Sequence, residues 1–351
     1  MRSPASKVGG LRVCIVPEYP LNLMAGGLQV QAVETCEAVS SLGGDIQCEL
    51  FDWSSRQPPA DVYHFIGLPA HMTRLAELVA ASGRPWLVTL LLSAPAPGAV
   101  KLAAARSWLK TALVRGPSLR KTLKAAARVI TITAAEAQAA SRICGLDPER
   151  LAVVPHGVGA AFYQRDPRAW QSVHGSEPFV LCVGAVQPRK NQLLLAQAAN
   201  ALRLPLVLIG PELPENRGYA ELVAAEMKRN EPFGGRWIRG LDRNDPLLVA
   251  AHHACRVFAL LSTAETQPIS VLQAMAAARP VVLLQAGYTS QSPFNHLNCA
   301  ADATPTVVQA ALGRAWNEVS AVRLSEDYAW PKVAAQLRSL YQTAAQDRPC
   351  R

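Results

Sequence analysis

The stretch ETQPISVLQAMAAARPVV, from Glu265 to Val282, holds the pattern that decides the fold of the second half of the chain. The run before it, RVFALLS at residues 256–262, is apolar between its first and last residues, which is typical of a buried strand. Glu265 therefore falls just beyond the carboxyl end of a strand, where open α/β sheets bind their ligands. This position makes the Glu265 carboxylate a candidate ligand-binding group.

The residues that follow Glu265 predict the start of a helix. Pro268 suits the first helical turn, where a backbone N–H would lack a partner in any case. The free amides of Ile269 and Ser270 would then form a positive helix start able to hold a phosphate. Gln273 follows about one turn later and is expected to face the same pocket. The pattern as a whole predicts a site for a charged, hydroxyl-rich ligand.

A second candidate group lies in the loop VQPRKN, which follows the apolar run FVLCVGA and precedes a helix. Arg189 and Lys190 are adjacent cations in this loop, and such a pair can hold a diphosphate and offset its charge as a leaving group. For the dipeptide alone, an ordinary solvated charge pair at a helix start is the favoured explanation. The presence of Glu265 one half-domain later favours the diphosphate interpretation.

Strand-like and helix-like segments alternate along both halves of the chain. This alternation predicts an α/β protein in which each half is a doubly wound parallel sheet. We expect domains at residues 1–165 and 170–325 and a closing amphipathic helix at residues 326–351. The polar, proline-containing passage between residues 164 and 178 is expected to link the halves. Thr133 is expected to cap the helix that follows it.

The composition excludes several classes of protein. The chain has 351 residues, of which 50% are hydrophobic and 17% charged, as in a globular enzyme. No apolar run reaches the roughly 20 residues that span a bilayer, and the N-terminus lacks the apolar core of a secretory signal. The 8 scattered cysteines have no zinc spacing, so we expect reduced thiols in a cytoplasmic protein. The dinucleotide fingerprint GxGxxG and the HExxH zinc helix are also missing.

Three further positions carry weaker signals. Gly26 and Gly27 follow the first strand, where glycines let a backbone approach a phosphate, although most such pairs are simply loops. His64 ends a strand-like run and could line a cleft, but a hydrogen-bonded strand histidine is the simpler interpretation. His156 lies at the junction of the halves, where contact with a ligand and a role in shaping the turn are equally well supported.

The charge distribution contains a one-sided block. The net charge is +9, and no acidic residue occurs between Glu77 and Glu136. Basic residues interleaved with leucine and alanine would form a cationic helical face suited to an anionic membrane surface. A merely solvated basic face is an equal alternative, and nucleic acid is not expected because no aromatic platform accompanies the charge. The residues concerned are Lys101, Arg106, Lys110, Arg115, Arg120, Lys121, Lys124 and Arg128.

These motifs together resemble the retaining glycosyltransferases of family four. The resemblance covers nearly the whole chain and rests on the segments AGGLQVQAVE, ERLAVVPHGV, VGAVQPRKN, LLVAAHHACRVFALLS and ETQPISVLQAMAAARPVV. It implies the GT-B fold, in which two Rossmann-like domains face each other. It also implies that the closing segment DYAWPKVAAQLRSLY forms a helix that crosses back to the first, acceptor-side domain.

The resemblance also implies roles for individual residues. Lys190, helped by Arg189, would neutralise the diphosphate of a nucleotide-sugar donor, and Glu265 would face the donor sugar. The remaining donor-binding positions would be Gly26, Gly27, Gly184, Gln267, Pro268, Ile269, Ser270 and Gln273. Catalysis in the family usually needs no metal, and no cofactor is expected.

Three positions depart from the family pattern. Gln273 replaces a carboxylate that binds the donor ribose, although an amide can still pair with hydroxyls. Ala185 replaces an arginine, for which Arg189 can compensate. Ser93 and its leucine neighbours replace a histidine directed at the donor sugar.

We therefore expect a cytoplasmic glycosyltransferase that moves a sugar from a UDP- or GDP-sugar to a glycan or lipid-linked acceptor. Surface polysaccharide or lipopolysaccharide synthesis at the inner face of the membrane is the expected setting. Two alternatives stay open: a catalytically degenerate GT-B protein that binds partners in a glycan-assembly complex, and an epimerase of the same fold, which the ETQP motif disfavours.

Overall fold

The computed structural model describes residues 10–20, 27–54, 57–90, 119–243, 245–318 and 320–347 of the chain. The predicted positions Gly26, Ser93, Lys101, Arg106, Lys110 and Arg115 lie outside the described residues. The described residues up to Gly157, together with those from Asp327 onward, form one compact unit, and the described residues of Val158–Glu326 form a second.

Strands and helices alternate along both units. The strands of the described residues are β1 (Leu11–Pro17), β2 (Ile46–Leu50), β3 (Val62–Ile66), β4 (Trp86–Leu90), β5 (Arg128–Thr131), β6 (Leu151–Val153), β7 (Val180–Val183), β8 (Leu206–Ile209), β9 (Arg236–Ile238), β10 (Val257–Leu260), β11 (Val281–Leu284) and β12 (Asn298–Ala300). The principal helices are α1 (Gly27–Ser41), α2 (Ala70–Ala81), α3 (Ala134–Cys144), α4 (Arg168–His174), α5 (Gln192–Ala201), α6 (Arg217–Asn230), α7 (Pro246–Ala254), α8 (Ile269–Ala276), α9 (Pro305–Asn317) and α10 (Trp330–Gln346). A further helical segment is described over residues 119–125.

Each unit is built on a six-stranded parallel sheet. The first sheet has the order β2-β1-β3-β4-β5-β6, and the second has the order β12-β11-β10-β7-β8-β9. Every ladder between these strands is parallel. The predicted α/β fold with two doubly wound parallel sheets is therefore confirmed.

Helices cover both faces of the first sheet. Val13 and Ile15 of β1 belong to one buried cluster, whereas Cys14 and Val16 belong to the other, because successive side chains of a strand point to opposite faces. Burial on both faces explains why these strands are continuous apolar runs rather than alternating ones.

The closing helix α10 packs against the first sheet, as the family resemblance implied. Its buried residues recur with helical spacing and form one stripe, and this stripe joins the cluster that contains α1 and β1. Burial of a leucine such as Leu337 within this stripe stabilises the packing by about 1.5–3 kcal/mol. The residues of the stripe are Val333, Ala334, Leu337, Tyr341 and Ala344.

Gly157 makes room for the first residue of α10. A Cβ atom at this position would lie 2.2 Å from the Trp330 ring. The indole nitrogen of Trp330 donates a hydrogen bond to Glu34 of α1 at 3.2 Å. The glycine in the loop after β6 therefore allows the Trp330 ring to pack closely.

The passage between residues 164 and 178 is not a plain linker. It contains α4, whose Trp170 is buried and lies 4.9 Å from the Phe179 ring between centroids. A tryptophan side chain contributes a large apolar area, so its burial binds this passage to the second unit. The polar residues around Trp170 concealed this helix in the sequence.

Several cysteines are free thiols within the sheets and helices, as expected. Cys14, Cys182 and Cys255 are buried, and burial raises the pKa of each thiol to about 12. These thiols are therefore protonated at neutral pH and pack as small apolar groups. No helix within the described ranges is both long and apolar enough to cross a bilayer.

His64 is a core residue that connects α10 to the sheet. Its ring is 1% exposed, and its two nitrogens are hydrogen-bonded to Tyr341 Oη and Thr89 Oγ1, each at 2.8 Å. Burial lowers the pKa of His64 to about 3, so the ring is neutral at neutral pH. The cavity beside it is about 10 Å³, enough for one water molecule but not for a sugar. The cleft interpretation of His64 is therefore wrong.

We predict that Tyr341→Phe destabilises the first unit. Loss of the hydroxyl leaves a buried nitrogen of His64 without its partner, which typically costs about 1–3 kcal/mol. Urea unfolding followed by circular dichroism measures this change. Gln346→Ala, at an exposed position of the same helix, is the control and should change the unfolding free energy by less than about 0.5 kcal/mol. Equal effects of the two variants would contradict the role assigned to this hydrogen bond.

Candidate functional site

The strand order of the second sheet brings two loops together. β7 and β10 are neighbours at the centre of this sheet, and the chain continues from β7 towards β8 and from β10 towards β11, in opposite directions. Loops that diverge in this way leave a crevice at the carboxyl ends of the strands, which is where such sheets bind ligands. The loops after β7 and β10 carry the principal site residues predicted from the sequence.

The loop after β7 begins at Gly184 and ends at the start of α5. Gly184 has a φ of +145°, and a Cβ atom there would lie 2.8 Å from Lys190 Nζ. Residues Pro188–Lys190 form a single turn of 3-10 helix. A glycine thus lets the backbone turn and leaves room for the lysine ammonium group above it.

Glu265 joins the two loops electrostatically. Its Oε1 lies 2.8 Å from Arg189 Nη1 and 3.4 Å from Lys190 Nζ. Ser262 Oγ donates a hydrogen bond to the same carboxylate oxygen at 2.9 Å. The structure therefore brings together Arg189, Lys190 and Glu265, the three residues assigned to catalysis from the sequence.

Burial strengthens these ion pairs. The Lys190 and Glu265 side chains are 12% and 14% exposed, whereas Arg189 is 39% exposed. Charges that are largely shielded from water interact more strongly than surface pairs do. Two cations and one carboxylate leave a local net charge of +1, which favours an anionic ligand.

Hydrogen bonds to backbone carbonyls connect the same two loops. The side-chain amide of Asn191 donates to the Leu261 carbonyl at 2.9 Å, and the N–H of Thr263 donates to the Arg189 carbonyl at 2.9 Å. The Arg189 guanidinium also donates to the Ala264 carbonyl. These contacts fix the positions of the two loops that carry the cations and the carboxylate.

The start of α8 lies directly after Glu265. Pro268 occupies the extended capping position before the helix, rather than the first helical turn that the sequence suggested. The helix begins at Ile269, and the first N–H groups of any helix lack acceptors within it. This end of α8 therefore carries a partial positive charge beside the two cations.

The remaining donor-site positions differ in exposure. Gln267 is buried, whereas Ile269, Ser270 and Gln273 are half-buried. Gln273 lies one turn into α8, at the spacing expected for a residue on the same side as the helix start.

Tyr288 is a residue that sequence reasoning missed. It follows β11 in a short 3-10 turn and is 1% exposed. Burial is the main cause that raises the pKa of Tyr288, and the negative charge of Glu265 adds to the effect. Its hydroxyl has no hydrogen-bond partner within the part of the chain that the structure describes. In the sequence, the only sign of a role for Tyr288 is its position after β11, the strand beside β10.

The structure gives less support to ligand-binding roles for the candidate residues of the first unit, Gly27 and His156. Gly27 opens α1, and among the described residues, apart from its chain neighbours and the backbone of its own helix, no atom lies within 4 Å of the place that a Cβ would take. His156 is buried, and burial lowers its pKa to about 4. A neutral ring with 6% exposure is consistent with a role in shaping the turn.

His252 and His253 pack inside the second unit. His252 stacks on Phe258, and His253 is hydrogen-bonded to the Ala161 carbonyl at 3.0 Å. Among the residues that the structure describes, no cluster of three histidine, cysteine or acidic side chains is arranged to hold a metal ion.

Two units, each built on a doubly wound parallel sheet, make up the fold of the GT-B glycosyltransferases. Solved structures of this class have a fold similar to that of this chain. Sucrose-phosphate synthase from Thermosynechococcus elongatus is 16% identical, covers 95% of this chain and 98% of its own, and has a TM-score of 0.67. WaaG, a glycosyltransferase involved in lipopolysaccharide biosynthesis, is 17% identical, with coverages of 97% and 99% and a TM-score of 0.60. Anabaena HepE, solved with UDP and glucose, is 14% identical, with coverages of 96% and 98% and a TM-score of 0.60.

Family models match both halves of the chain. Residues 5–157 match the glycosyl transferase 4-like domain, and residues 177–312 match glycosyl transferases group 1. The chain therefore belongs to the family-four-like glycosyltransferases of group 1. A D-inositol 3-phosphate glycosyltransferase from Kineococcus radiotolerans is 25% identical over an alignment of 271 positions, which covers 65% of this chain and 60% of that protein.

We predict that Gly184→Ala destabilises the second unit. An alanine strains the backbone at this φ and crowds the Lys190 ammonium group, at an expected cost of about 1–3 kcal/mol. Urea unfolding measures the change. Gly218→Ala is the matched control, because the added carbon has no atom within 4 Å among the described residues, apart from its chain neighbours and the backbone of its own helix, and the residue lies in the first turn of α6. Equal stabilities of the two variants would contradict the requirement for glycine at position 184.

Proposed function

We propose that this protein transfers a sugar from a UDP- or GDP-sugar to a hydroxyl group of a glycan or lipid-linked acceptor. The observation that carries the proposal is the contact of Glu265 with Arg189 and Lys190 at the point where the second sheet reverses its strand order. Cations on one loop and a carboxylate on the next are what a diphosphate attached to a sugar requires. Membership of the glycosyltransferase family supports the same reaction.

The cations would act on the leaving group. In the proposed reaction the bond between the anomeric carbon and the diphosphate breaks, and negative charge builds on the diphosphate. Lys190 and Arg189 offset this charge, and the positive start of α8 adds to their effect. Because the loops already hold these groups in place, little reorganisation is needed during the reaction.

Glu265 and Gln273 would position the donor. The Glu265 carboxylate accepts hydrogen bonds from sugar hydroxyls, and the Gln273 amide pairs with hydroxyls of the ribose. The departing phosphate takes the proton of the acceptor hydroxyl, which bonds to the anomeric carbon with retention of configuration. The protein thus contributes positioning and charge stabilisation rather than a dedicated base.

We predict that Lys190→Ala lowers kcat/KM for sugar transfer by well over tenfold, and each decade corresponds to about 1.4 kcal/mol. Glu265→Gln should reduce transfer more than it reduces stability. Transfer from a panel of UDP- and GDP-sugars, with thermal unfolding of each variant, measures both effects. Lys228→Ala, which removes an exposed cation from α6, is the control.

Each arm of this assay has an outcome that contradicts the proposal. If Lys190→Ala transfers sugar at nearly the wild-type rate, the proposal that Lys190 binds the donor diphosphate is contradicted. Because the two cations supply the charge, we propose that no metal is needed, and a loss of activity with EDTA would contradict that part. A wild-type protein that binds nucleotides but turns over no donor would favour the degenerate, partner-binding alternative.

We also propose that the enzyme works on surface polysaccharide or lipopolysaccharide at the inner face of the cytoplasmic membrane. WaaG, whose fold is similar, takes part in lipopolysaccharide biosynthesis. Arg120, Lys121 and Lys124 are exposed, whereas Leu123 between them is buried, so this segment has a cationic outer face. Arg128 is not part of that face, because it begins β5 and pairs with Asp347 at 3.3 Å.

We predict that the protein sediments with vesicles containing anionic lipid and that salt releases it. Replacement of Arg120, Lys121 and Lys124 by glutamate should abolish sedimentation, because each basic residue contributes about 1 kcal/mol near an anionic surface. A matched triple replacement of Arg217, Lys228 and Arg229, which are exposed cations of α6, is the control. Equal binding to neutral and anionic vesicles would refute the membrane proposal.

A further inference from the structure

Two cysteines of the first unit lie on neighbouring elements. Cys36 belongs to α1, and Cys48 belongs to β2, the strand at one end of the first sheet. Cys36 is a member of the buried cluster on this face of the sheet, and Cys48 packs against the same cluster. Neither thiol has a role in the proposed sugar transfer, so this transfer does not account for the pair.

The pleat of the sheet directs the Cys48 side chain towards α1. Cys48 is paired with Val13 in the parallel ladder, and Val13 is a buried member of the cluster that contains Cys36. Cys14, the next residue of β1, belongs to the cluster on the opposite face, because successive side chains of a strand alternate. The sheet therefore separates Cys14 from the face that carries Cys36 and Cys48.

The helix directs Cys36 towards the same point. Ser40 follows Cys36 by four residues in α1, and residues with this spacing are neighbours on one side of a helix. Ser40 Oγ donates a hydrogen bond to the Cys48 carbonyl at 3.1 Å. The side of α1 that carries Cys36 therefore faces β2 at Cys48.

The two thiols are hydrogen-bonded to each other. The S–H of Cys48 donates to the Cys36 sulfur, which lowers the pKa of Cys36, although burial and the nearby Glu37 and Glu49 oppose the fall. The same hydrogen bond, together with burial, raises the pKa of Cys48. Cys36 is therefore the thiol that ionises first. A thiolate is the nucleophilic form of cysteine, and a second thiol in contact with it can complete a disulfide.

The pair lies near the edge of the sheet. Within the described ranges, β2 has a neighbouring strand on one side only, and that strand is β1. Cys48 is half-buried and Cys36 is 8% exposed, whereas Cys14 on the other face is 3% exposed. A small uncharged oxidant, little larger than a water molecule, therefore has a shorter path to this pair than to the core of the sheet.

We propose that Cys36 and Cys48 form an oxidation site at which a peroxide converts the two thiols into a disulfide that joins α1 to β2. The Cys36 thiolate attacks one oxygen of hydrogen peroxide, the O–O bond breaks, and Cys36 becomes a sulfenic acid. The hydroxide that leaves takes up the proton that Cys36 released and becomes water. The Cys48 sulfur then attacks the sulfenic sulfur, and the Cys48 proton leaves with the hydroxyl group as a second water. The two thiols are oxidised to one disulfide, and the peroxide is reduced to water.

The disulfide restricts α1 on the side that faces β2. On the side that faces α10, Glu34 of α1 already accepts a hydrogen bond from Trp330 at 3.2 Å. A bond between residues 36 and 48 closes a short loop and lowers the entropy of the unfolded chain. We expect oxidation to raise the Tm of the first unit by several degrees and to slow amide hydrogen exchange in α1. A thiol reductant reverses both changes, and neither depends on the proposed sugar transfer.

Peptide mapping of the full chain tests the site. The folded, reduced protein is treated with hydrogen peroxide, its remaining thiols are alkylated, and the chain is cleaved after glutamate residues. Cleavage after Glu34, Glu37 and Glu49 places Cys36 and Cys48 on separate peptides. We expect mass spectrometry to find these two peptides joined, two hydrogens lighter than their sum, and separated again by a thiol reductant.

Three variants separate this pair from the neighbouring thiol. Cys36→Ala and Cys48→Ala should each abolish the joined peptides and the rise in Tm on oxidation. Cys14→Ala is the matched control, because it removes a buried thiol of the adjacent strand on the opposite face, and it should retain both effects. Thermal unfolding of the reduced variants shows that each one is folded before peroxide is added.

The wild-type protein decides the outcome even if a variant does not fold. Peptides that stay separate after peroxide treatment overturn the inference, as does oxidation of Cys36 to a sulfinic acid without joining, because Cys48 then does not reach it. Joining that occurs only in urea shows that the folded protein holds the thiols apart. Joining of either thiol to Cys14, on the peptide that ends at Glu18, contradicts the placement on opposite faces.

Discussion

Parallel pairing of β10 with β7 at the centre of the second sheet determines where the charged residues meet. The register places Phe258 beside Leu181, so both strands end at the same edge of the sheet. The chain then leaves this edge in two directions, which opens space between the loops. Glu265 and the pair Arg189–Lys190 are far apart in sequence, and they contact each other because these two strands are neighbours.

Close backbone packing supports this arrangement of charges. A Cβ atom on Gly210 would lie 2.1 Å from the Gly184 carbonyl oxygen, so the loops after β8 and β7 touch through their backbones. Gln192 holds the β7 loop from inside, because its amide donates to the Ala185 carbonyl at 2.9 Å. The cations are consequently presented by a well-packed scaffold, which lowers the cost of holding like charges near each other.

The two units share a principle of construction and differ in the chemistry that they present. Each sheet reverses its strand order once, around β1 in the first unit and between β7 and β10 in the second. The crevice of the second sheet is flanked by two cations and one carboxylate, whereas the described residues that follow the strands of the first sheet include exposed aromatic rings and the half-buried Glu18.

Local patterns in the sequence determined the elements and part of the site. Apolar runs predicted the strands, Thr133 forms the capping box of α3 with Glu136, and Arg189, Lys190 and Glu265 fall after strands as expected. Only the tertiary structure decided that His64 is a core residue, that Gly157 accommodates Trp330, and that Trp170 lies in a packed helix. These outcomes depend on partners such as Tyr341, which is 277 residues from His64 along the chain. Hydrophobic periodicity indicates which side of each helix or strand is buried. It does not indicate which distant side chain will accept a hydrogen bond or fill the space beside a glycine.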